Sequence, residues 1–287
     1  MPLAEHFAPV KDSAMRCLNL GCGNRFISGW TNVDFVSQSS EVLQHDLTKG
    51  IPFDSNSFDI VYHSHVLEHF SKHKGSTFIS ECYRVLVPGG HIRVAVPDLE
   101  MLARLYLKNL EAATQDQSEL RIVEHQWSTI ELLDQMVRTK PGGEMLAWWS
   151  QDNILNAETV KNRVGYEFTS FRSRLELAWN QRDKPSQNKR SLKHLLKAQI
   201  KRVLEKIMVG SHDDVFRNSG EIHQWMYDHL SLKLLLAQRG FENIVRVDAF
   251  TTTIEDWGDY SLLDQEAGEV RKPDSLFLEG RKPRGNA

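Results

Sequence analysis

Short apolar runs alternate with helical spacings along the first hundred residues. Residues 16–20 (RCLNL) are an apolar run that stops at Gly21, and residues 31–35 (TNVDF) and 58–63 (FDIVYH) repeat that signal. Each is short enough for a buried strand. Phe78, Ile79, Cys82, Val85 and Leu86 fall on one helical face, which predicts a helix over 76–86. The stretch VPGG stops it, and HIRVAVP (91–97) reads as the next strand. Strands alternating with helices predict an α/β fold, with a parallel sheet covered on both faces.

From about 98 to 210 the strand signal vanishes and helical periods take over, as in 99–110 and 191–208. Residues 231–241 then read as a helix closed by Gly240, 242–250 as a strand and 274–283 as a last strand. There is no internal repeat. The pattern predicts a core built from 1–99 and 212–287, interrupted by a helical insertion over 100–211 that caps it.

Composition changes this picture little. A formal net charge of −3 on 287 residues gives no general reason to expect nucleic acid as a partner. No stretch approaches the roughly 18 apolar residues that cross a bilayer. The first dozen residues lack a basic segment followed by an apolar one, so a cytoplasmic location is expected. Three cysteines, Cys17, Cys22 and Cys82, have no framework spacing, which argues for a reducing compartment.

The candidate chemistry begins at the first glycine cluster. In open parallel sheets, ligands bind at the carboxyl ends of strands where the strand order reverses. A glycine turn after the first strand lets the backbone approach a ligand closely, because glycine has no Cβ and accepts positive φ. An acid after the second strand can accept hydrogen bonds from two ribose hydroxyls. Gly21, Gly23 and Asp34 fit these roles. The G-x-G-x-x-G fingerprint of nicotinamide enzymes is not met, because Arg25 and Phe26 stand where glycines belong. The acid also follows the turn by fewer than twenty residues, barely enough chain for a crossover helix.

The set LNLGCG (18–23), GWTNVD (29–34), HDLTKGIPFDSNSFDIVYHSHVLEHF (45–70), ECYRVLVPGG (81–90) and HQWMYDHLSLKLLLAQRGF (223–241) resembles class I S-adenosylmethionine-dependent methyltransferases. More narrowly, it resembles the type-11-like bacterial enzymes often linked to glycan biosynthesis. The resemblance implies a Rossmann-like, mostly parallel seven-stranded sheet with the helical insertion after the fifth strand. It also implies S-adenosyl-L-methionine as cofactor. Asn19, Gly21, Cys22 and Gly23 would face its methionine part, Asp34 its ribose, and Asp46 with the backbone of Leu47 its adenine. His63, Ser64 and His65 would lie near the sulfonium. His65, His223 and Tyr227 are the catalytic candidates, His223 and Tyr227 because GEIHQWMYDHLS borders the acceptor pocket in the resembling family. Trp225 and Met226 would be core anchors, and Asp228 a helix cap. The implied acceptor is a hydroxyl or amine of a glycan or another small molecule. A non-catalytic S-adenosylmethionine-binding partner protein is the alternative.

Two further features stand beside that reading. His65-x-x-Glu68-His69 matches the inverted zinc-peptidase pattern H-x-x-E-H. On a helix, its two imidazoles would share a face. The pattern follows a strand inside an α/β alternation that already accounts for it, and no acidic third ligand announces itself downstream. A zinc hydrolase is therefore the lesser alternative, and no metal site is expected. Residues 182–206 are rich in lysine and arginine, and the 191–208 stretch is amphipathic. Such a helix suits peripheral contact with the inner membrane face, an anionic acceptor, or simple packing with solvated lysines. Trp148, Trp149, Tyr166, Phe168, Phe171 and Trp179 make the insertion aromatic-rich, as a lid, a sugar platform or a core requires. The oligomeric state is not legible.

Overall fold

The computed structural model describes residues 15–37, 39–182, 220–255, 257 and 263–285. Five parallel strands come first: β1 (Cys17–Leu20), β2 (Thr31–Asp34), β3 (Val42–Gln44), β4 (Phe58–Ser64) and β5 (Leu86–Pro97). β6 (Glu242–Val247) and β9 (Ser275–Arg281) complete a seven-stranded sheet of order β3-β2-β1-β4-β5-β9-β6. β9 runs antiparallel to both its neighbours. A small hairpin, β7 (Gln265–Glu266) and β8 (Glu269–Val270), lies between β6 and β9. This is the Rossmann-like α/β architecture expected. The order reverses between β1 and β4, so the crevice beyond their carboxyl ends is where a ligand belongs.

The strands hold because their side chains are buried on both faces. All four residues of β1 are buried, as are Ile60, Val61 and Tyr62 of β4 and Ile92, Val94 and Val96 of β5. Helix α1 (Lys72–Val85) lays Phe78, Ile79, Cys82 and Val85 on this core. It starts four residues before the predicted helix, because the Ser71 side chain accepts from the Lys74 amide (3.4 Å) and caps it. β3, three residues long with only Val42 buried, gives no periodic signal and is absent from the sequence reading.

After β5 come α2 (Leu99–Gln115), α3 (Glu119–Val137), α4 (Gly143–Trp149), α5 (Ala157–Val164) and α6 (Tyr166–Arg182). They bury a cluster of their own: Trp127, Met145, Ile154, Val160, Val164 and Phe168. The aromatic residues mostly serve this packing, with Trp149 against Phe168 and Phe171 at 6.0 Å between ring centroids. Tyr166 is instead exposed, with the Arg25 guanidinium 5.5 Å above its ring. The basic 191–208 stretch and the side chain of Trp179 lie outside the described residues. Helix α7 (His229–Gln238) returns the chain to the core, and Asp228 and Ser231 cap each other's backbone at its start. Among the described residues no helix is long and apolar enough to cross a membrane.

Candidate active site

The glycine turn after β1 is fixed by the backbone: Gly21 and Cys22 both donate to the Val33 carbonyl, at 2.8 and 3.2 Å. Gly21 and Gly23 have φ of +64° and +53°. A Cβ on Gly21 would stand 2.2 Å from Val66 Cγ2, so the close approach to the turn after β4 requires glycine. A Cβ on Gly23 would meet nothing within 4 Å, so bare backbone faces open space there. Asp34, at the end of β2, accepts from the Gly23 amide (2.8 Å) and the Val36 amide (3.1 Å). Each carboxylate oxygen keeps a second lone pair for a ligand hydroxyl.

A cavity of about 490 Å³ opens beside these residues, lined among others by Gly21, Asp34, Phe35, Asp46, Leu47, His65 and Phe70. Asp46 also caps the turn 47–49, accepting from the Thr48 amide (3.0 Å) and hydroxyl (2.7 Å), and these bonds hold its carboxyl below the usual range. A smaller cavity of about 160 Å³ adjoins the turn and is lined by Asn19, Gly21, Cys22, Gly23, Ser64, His65, Arg271 and Lys272. The Asn19 amide is spent on the Arg25 carbonyl (2.9 Å) and on Asn32 (3.2 Å), so its role is to hold the turn. Burial, with Asp34 nearby, pushes the Cys22 thiol up to about 11, leaving it inert.

Two of the expected site residues are elsewhere. His63 is wholly buried, its ring edge-on to Phe78 at 5.1 Å, and neither nitrogen has a hydrogen-bond partner. Strand alternation explains this, since Ser64 faces the cleft and its neighbour must face the core. Burial drives the His63 imidazole down to about 3. Tyr227 packs in the main core with its hydroxyl against Gly75 of α1, and lines none of the described cavities. Of its neighbours, Met226 is buried as a core anchor, but Trp225 departs from that reading: it is 37% exposed, with the Lys72 ammonium 4.9 Å above its ring.

His65, Glu68 and His69 do converge, though not on a helix. The segment 67–69 is a single 3-10 turn, and His65 precedes it with φ of +55°. The inverted zinc-peptidase geometry, which needs two histidines on one helical face, is therefore absent. His65 Nε2 shares a hydrogen bond with Ser275 Oγ (2.8 Å), and its Nδ1 lies 3.3 Å from Glu68 Oε1. The chain at 222–225 docks on this turn, with the Gln224 amide donating to the Glu68 carbonyl (2.7 Å). His69 Nδ1 meets the Ile222 carbonyl (3.2 Å), and the His69 and His223 rings sit edge to face at 4.9 Å. From the other side, the His223 amide donates to the Gln135 carbonyl of α3 (2.9 Å).

A third cavity, of about 380 Å³, lies between this turn and the helices. His65, His69, Arg138, Trp149, Glu167, His223, Lys272 and Asp274 are among its lining residues. His65 borders all three cavities, and His69 two of them. Burial, reinforced by the neighbouring cations Lys272 and Arg138, holds His69 down to about 4 and His223 well below its ordinary value. Burial and Lys272 do the same to His65. All three imidazoles are thus neutral near pH 7. Lys272, Arg271 and Asp274 escaped sequence analysis because they follow the small hairpin, whose two-residue strands carry no periodic signal. The Ala267-Gly268 pair, both at positive φ, was the only local sign of that turn.

Residues 18–94 match the sequence model of a methyltransferase domain. The match runs from β1 into β5, roughly a quarter of the chain, and contains the glycine turn, Asp34, Asp46 and His65. This part of the chain is similar to a methyltransferase domain, which supports S-adenosylmethionine-dependent methyl transfer with S-adenosyl-L-methionine as cofactor. Solved structures resemble it distantly. One is a S-adenosylmethionine-dependent methyltransferase from Thermotoga maritima, 13% identical, covering 94% of this chain and 83% of that one, with a TM-score of 0.40. Another, from Mesorhizobium loti, is 14% identical over 93% of this chain and 91% of its own, with a TM-score of 0.38. A 1,6-didemethyltoxoflavin-N1-methyltransferase from Burkholderia thailandensis is 17% identical over 29% of this chain and 45% of its own, with a TM-score of 0.26. No curated protein matches the chain.

Proposed function

We propose that the enzyme methylates a hydroxyl or amine of a polar small molecule of the glycan class, held in the cavity between the His65–His69 turn and the helices. The observation that carries this reading is the meeting of two spaces at His65 and His69: the cleft lined by Gly21, Asp34 and Asp46, and the cavity lined by Trp149, Arg138, Glu167 and Lys272. An aromatic face with several fixed polar groups is what a sugar ring needs. A volume of about 490 Å³ is within the range of small-molecule sites, and suits the cofactor's nucleoside. Arg271, whose buried Nε lacks a hydrogen-bond partner, borders the smaller cavity beside the glycine turn and supplies a counter-charge for the methionine carboxylate.

The cofactor supplies a methyl group already activated on a cationic sulfur. What remains for the chain is to bring the acceptor atom in line and exclude water. Gly21, Gly23, Asp34 and Asp46 would hold that cofactor, and it would offer its methyl carbon to the acceptor's lone pair. A hydroxyl or amine acceptor then gives up one proton, which a neutral imidazole lining the acceptor space can take.

Isotope transfer from methyl-labelled S-adenosylmethionine to a panel of sugars, nucleotide sugars and amines tests this reading. Labelling of a sugar-class acceptor is the expected result, with His65→Asn losing turnover while cofactor affinity, measured by calorimetry, changes little. Cofactor binding with no turnover on any acceptor would replace this reading with that of a non-catalytic partner protein.

A further inference from the structure

The geometry points to a divalent metal site made by Glu68, His69 and His223, at the border between the cofactor cleft and the acceptor cavity. One ligand atom from each of these three residues lies within 4.8 Å of the others. Two imidazoles and one carboxylate are a donor set for first-row divalent cations such as zinc, manganese or cobalt.

Three independent features favour a cation over simple packing. First, the Glu68 side chain is 0% exposed, and neither of its carboxylate oxygens has a hydrogen-bond partner. Its surroundings are imidazole nitrogens, His65 Nδ1 at 3.3 Å and His223 Nε2 at 4.0 Å from the same oxygen. A buried carboxylate without donors is costly, and a cation is one of the few groups that relieves it. Second, the His69 tautomer is set. A carbonyl only accepts, so the bond to Ile222 puts the proton on Nδ1 and leaves the Nε2 lone pair free. A backbone carbonyl behind a ligating histidine is the usual support of a metal site. Third, His223 Nδ1 is buried and unpartnered, and the backbone that carries the ring is anchored on the Gln135 carbonyl.

The three residues come from two distant stretches of chain, which is why the sequence pattern pointed to the wrong geometry. H-x-x-E-H suggested His65 and His69 as a ligand pair and an acid downstream as the third. The fold instead gives His65 to Ser275 and brings in His223 as a second imidazole. His69 and His223 both border the acceptor cavity, so a cation held by them has its open positions on that side. An acceptor oxygen bound there would be fixed beside the cleft and made more acidic. This role rests on the methyltransferase reading, whereas the binding of the metal does not.

The test uses the full chain, stripped with a chelator and titrated with Co²⁺ alone, followed by visible d–d absorption. One equivalent of Co²⁺ per chain, with absorption bands showing nitrogen and oxygen ligation, is expected. Glu68→Gln, nearly the same shape without the charge, should weaken Co²⁺ binding more than about 100-fold. His223→Ala should do the same and shift the bands. Circular dichroism and the thermal unfolding midpoint report whether each variant is folded, and calorimetry with S-adenosylmethionine is run separately. Wild-type protein that takes up no stoichiometric Co²⁺ would overturn the site, as would unchanged Co²⁺ affinity in a folded Glu68→Gln or His223→Ala. A protein that binds Co²⁺ as expected but not S-adenosylmethionine would keep the metal site and reject the methyltransferase reading.

Discussion

Glu68 shows how one residue can be legible as a motif member and misread in its role. Burial pushes its carboxyl up to about 8, and two imidazoles, His65 and His223, lie within 4.0 Å of one of its oxygens. Asp34 is the opposite case. The bond it accepts from Gly23 ties the turn after β1 to the end of β2, the one from Val36 closes a local turn, and both leave lone pairs for a ligand. Asp34→Ala should therefore weaken S-adenosylmethionine binding by more than about tenfold, since it removes hydrogen bonds to a charged acceptor. Calorimetry that returned wild-type affinity would reject the ribose assignment. Gly21→Ala is expected to lose stability by at least about 1–2 kcal/mol from the left-handed backbone alone, before the clash with Val66 is counted. Thermal or urea unfolding of the variant reads this directly, and an unchanged midpoint would contradict it.

At the scale of elements, the long and periodic parts were readable and the short ones were not. Helix α1 and strands β4 and β5 announce themselves by spacing, and α7 by its glycine stop and its acidic cap. β3 and the β7–β8 hairpin do not, because two or three residues cannot establish a period. The same rule sorts the site. Asp34 and Asp46 lie where a strand or turn ends, and position alone suggests them. His63 and Tyr227 were misplaced because the side of a strand or loop that faces the cleft depends on register, which a sequence does not display. His223 was found, but as a lone base; its companions in space are 150 residues away. Asp228→Ala tests the element logic simply. It should cost about 1 kcal/mol by removing the mutual cap of α7, with cofactor affinity retained. A loss much smaller than this, measured by chemical unfolding, would mean that the packing of Leu232 and Leu236 alone fixes the helix start.

For the molecule as a whole, one buried charge joins the parts of the chain that arrive last. Arg93 of β5 is fully buried, bonded to Asp264 (2.8 Å), Glu279 (2.5 Å) and the carbonyls of Asp248 and Thr251 (2.8 and 3.1 Å). The Tyr62 hydroxyl donates to the same Asp264 (2.7 Å). Arg93→Ala should destabilise the protein by about 3–5 kcal/mol, because it strands two carboxylates in the interior. A stability close to wild type would mean that water or rearrangement replaces the guanidinium. A second global effect comes from Asp274, whose carboxyl burial raises to about 7 beside Lys272, Arg163, Glu131 and Glu167. Between the ordinary carboxylate range and about 7, the folded chain holds a proton that the unfolded chain has released. Stability contributed by this group is therefore greatest in acid and falls as pH rises through that window. Asp274→Asn should flatten the slope there, and an identical pH profile in the variant would show that another group governs it.

The bond from His65 to Ser275 joins residues 210 positions apart, and it sets an order of events during synthesis. A ribosome that has emitted the first hundred residues has already made every lining residue of the nucleoside cleft up to Lys74. It has not yet made His223, Lys272 or Ser275. The emerging chain thus holds most of the cleft beside Gly21 and Asp34 long before it owns the far wall of the neighbouring cavity, and His65 meets Ser275 only once β9 lies beside β5. On the proposed reading, methyl transfer waits until His223 and Ser275 have joined the first hundred residues.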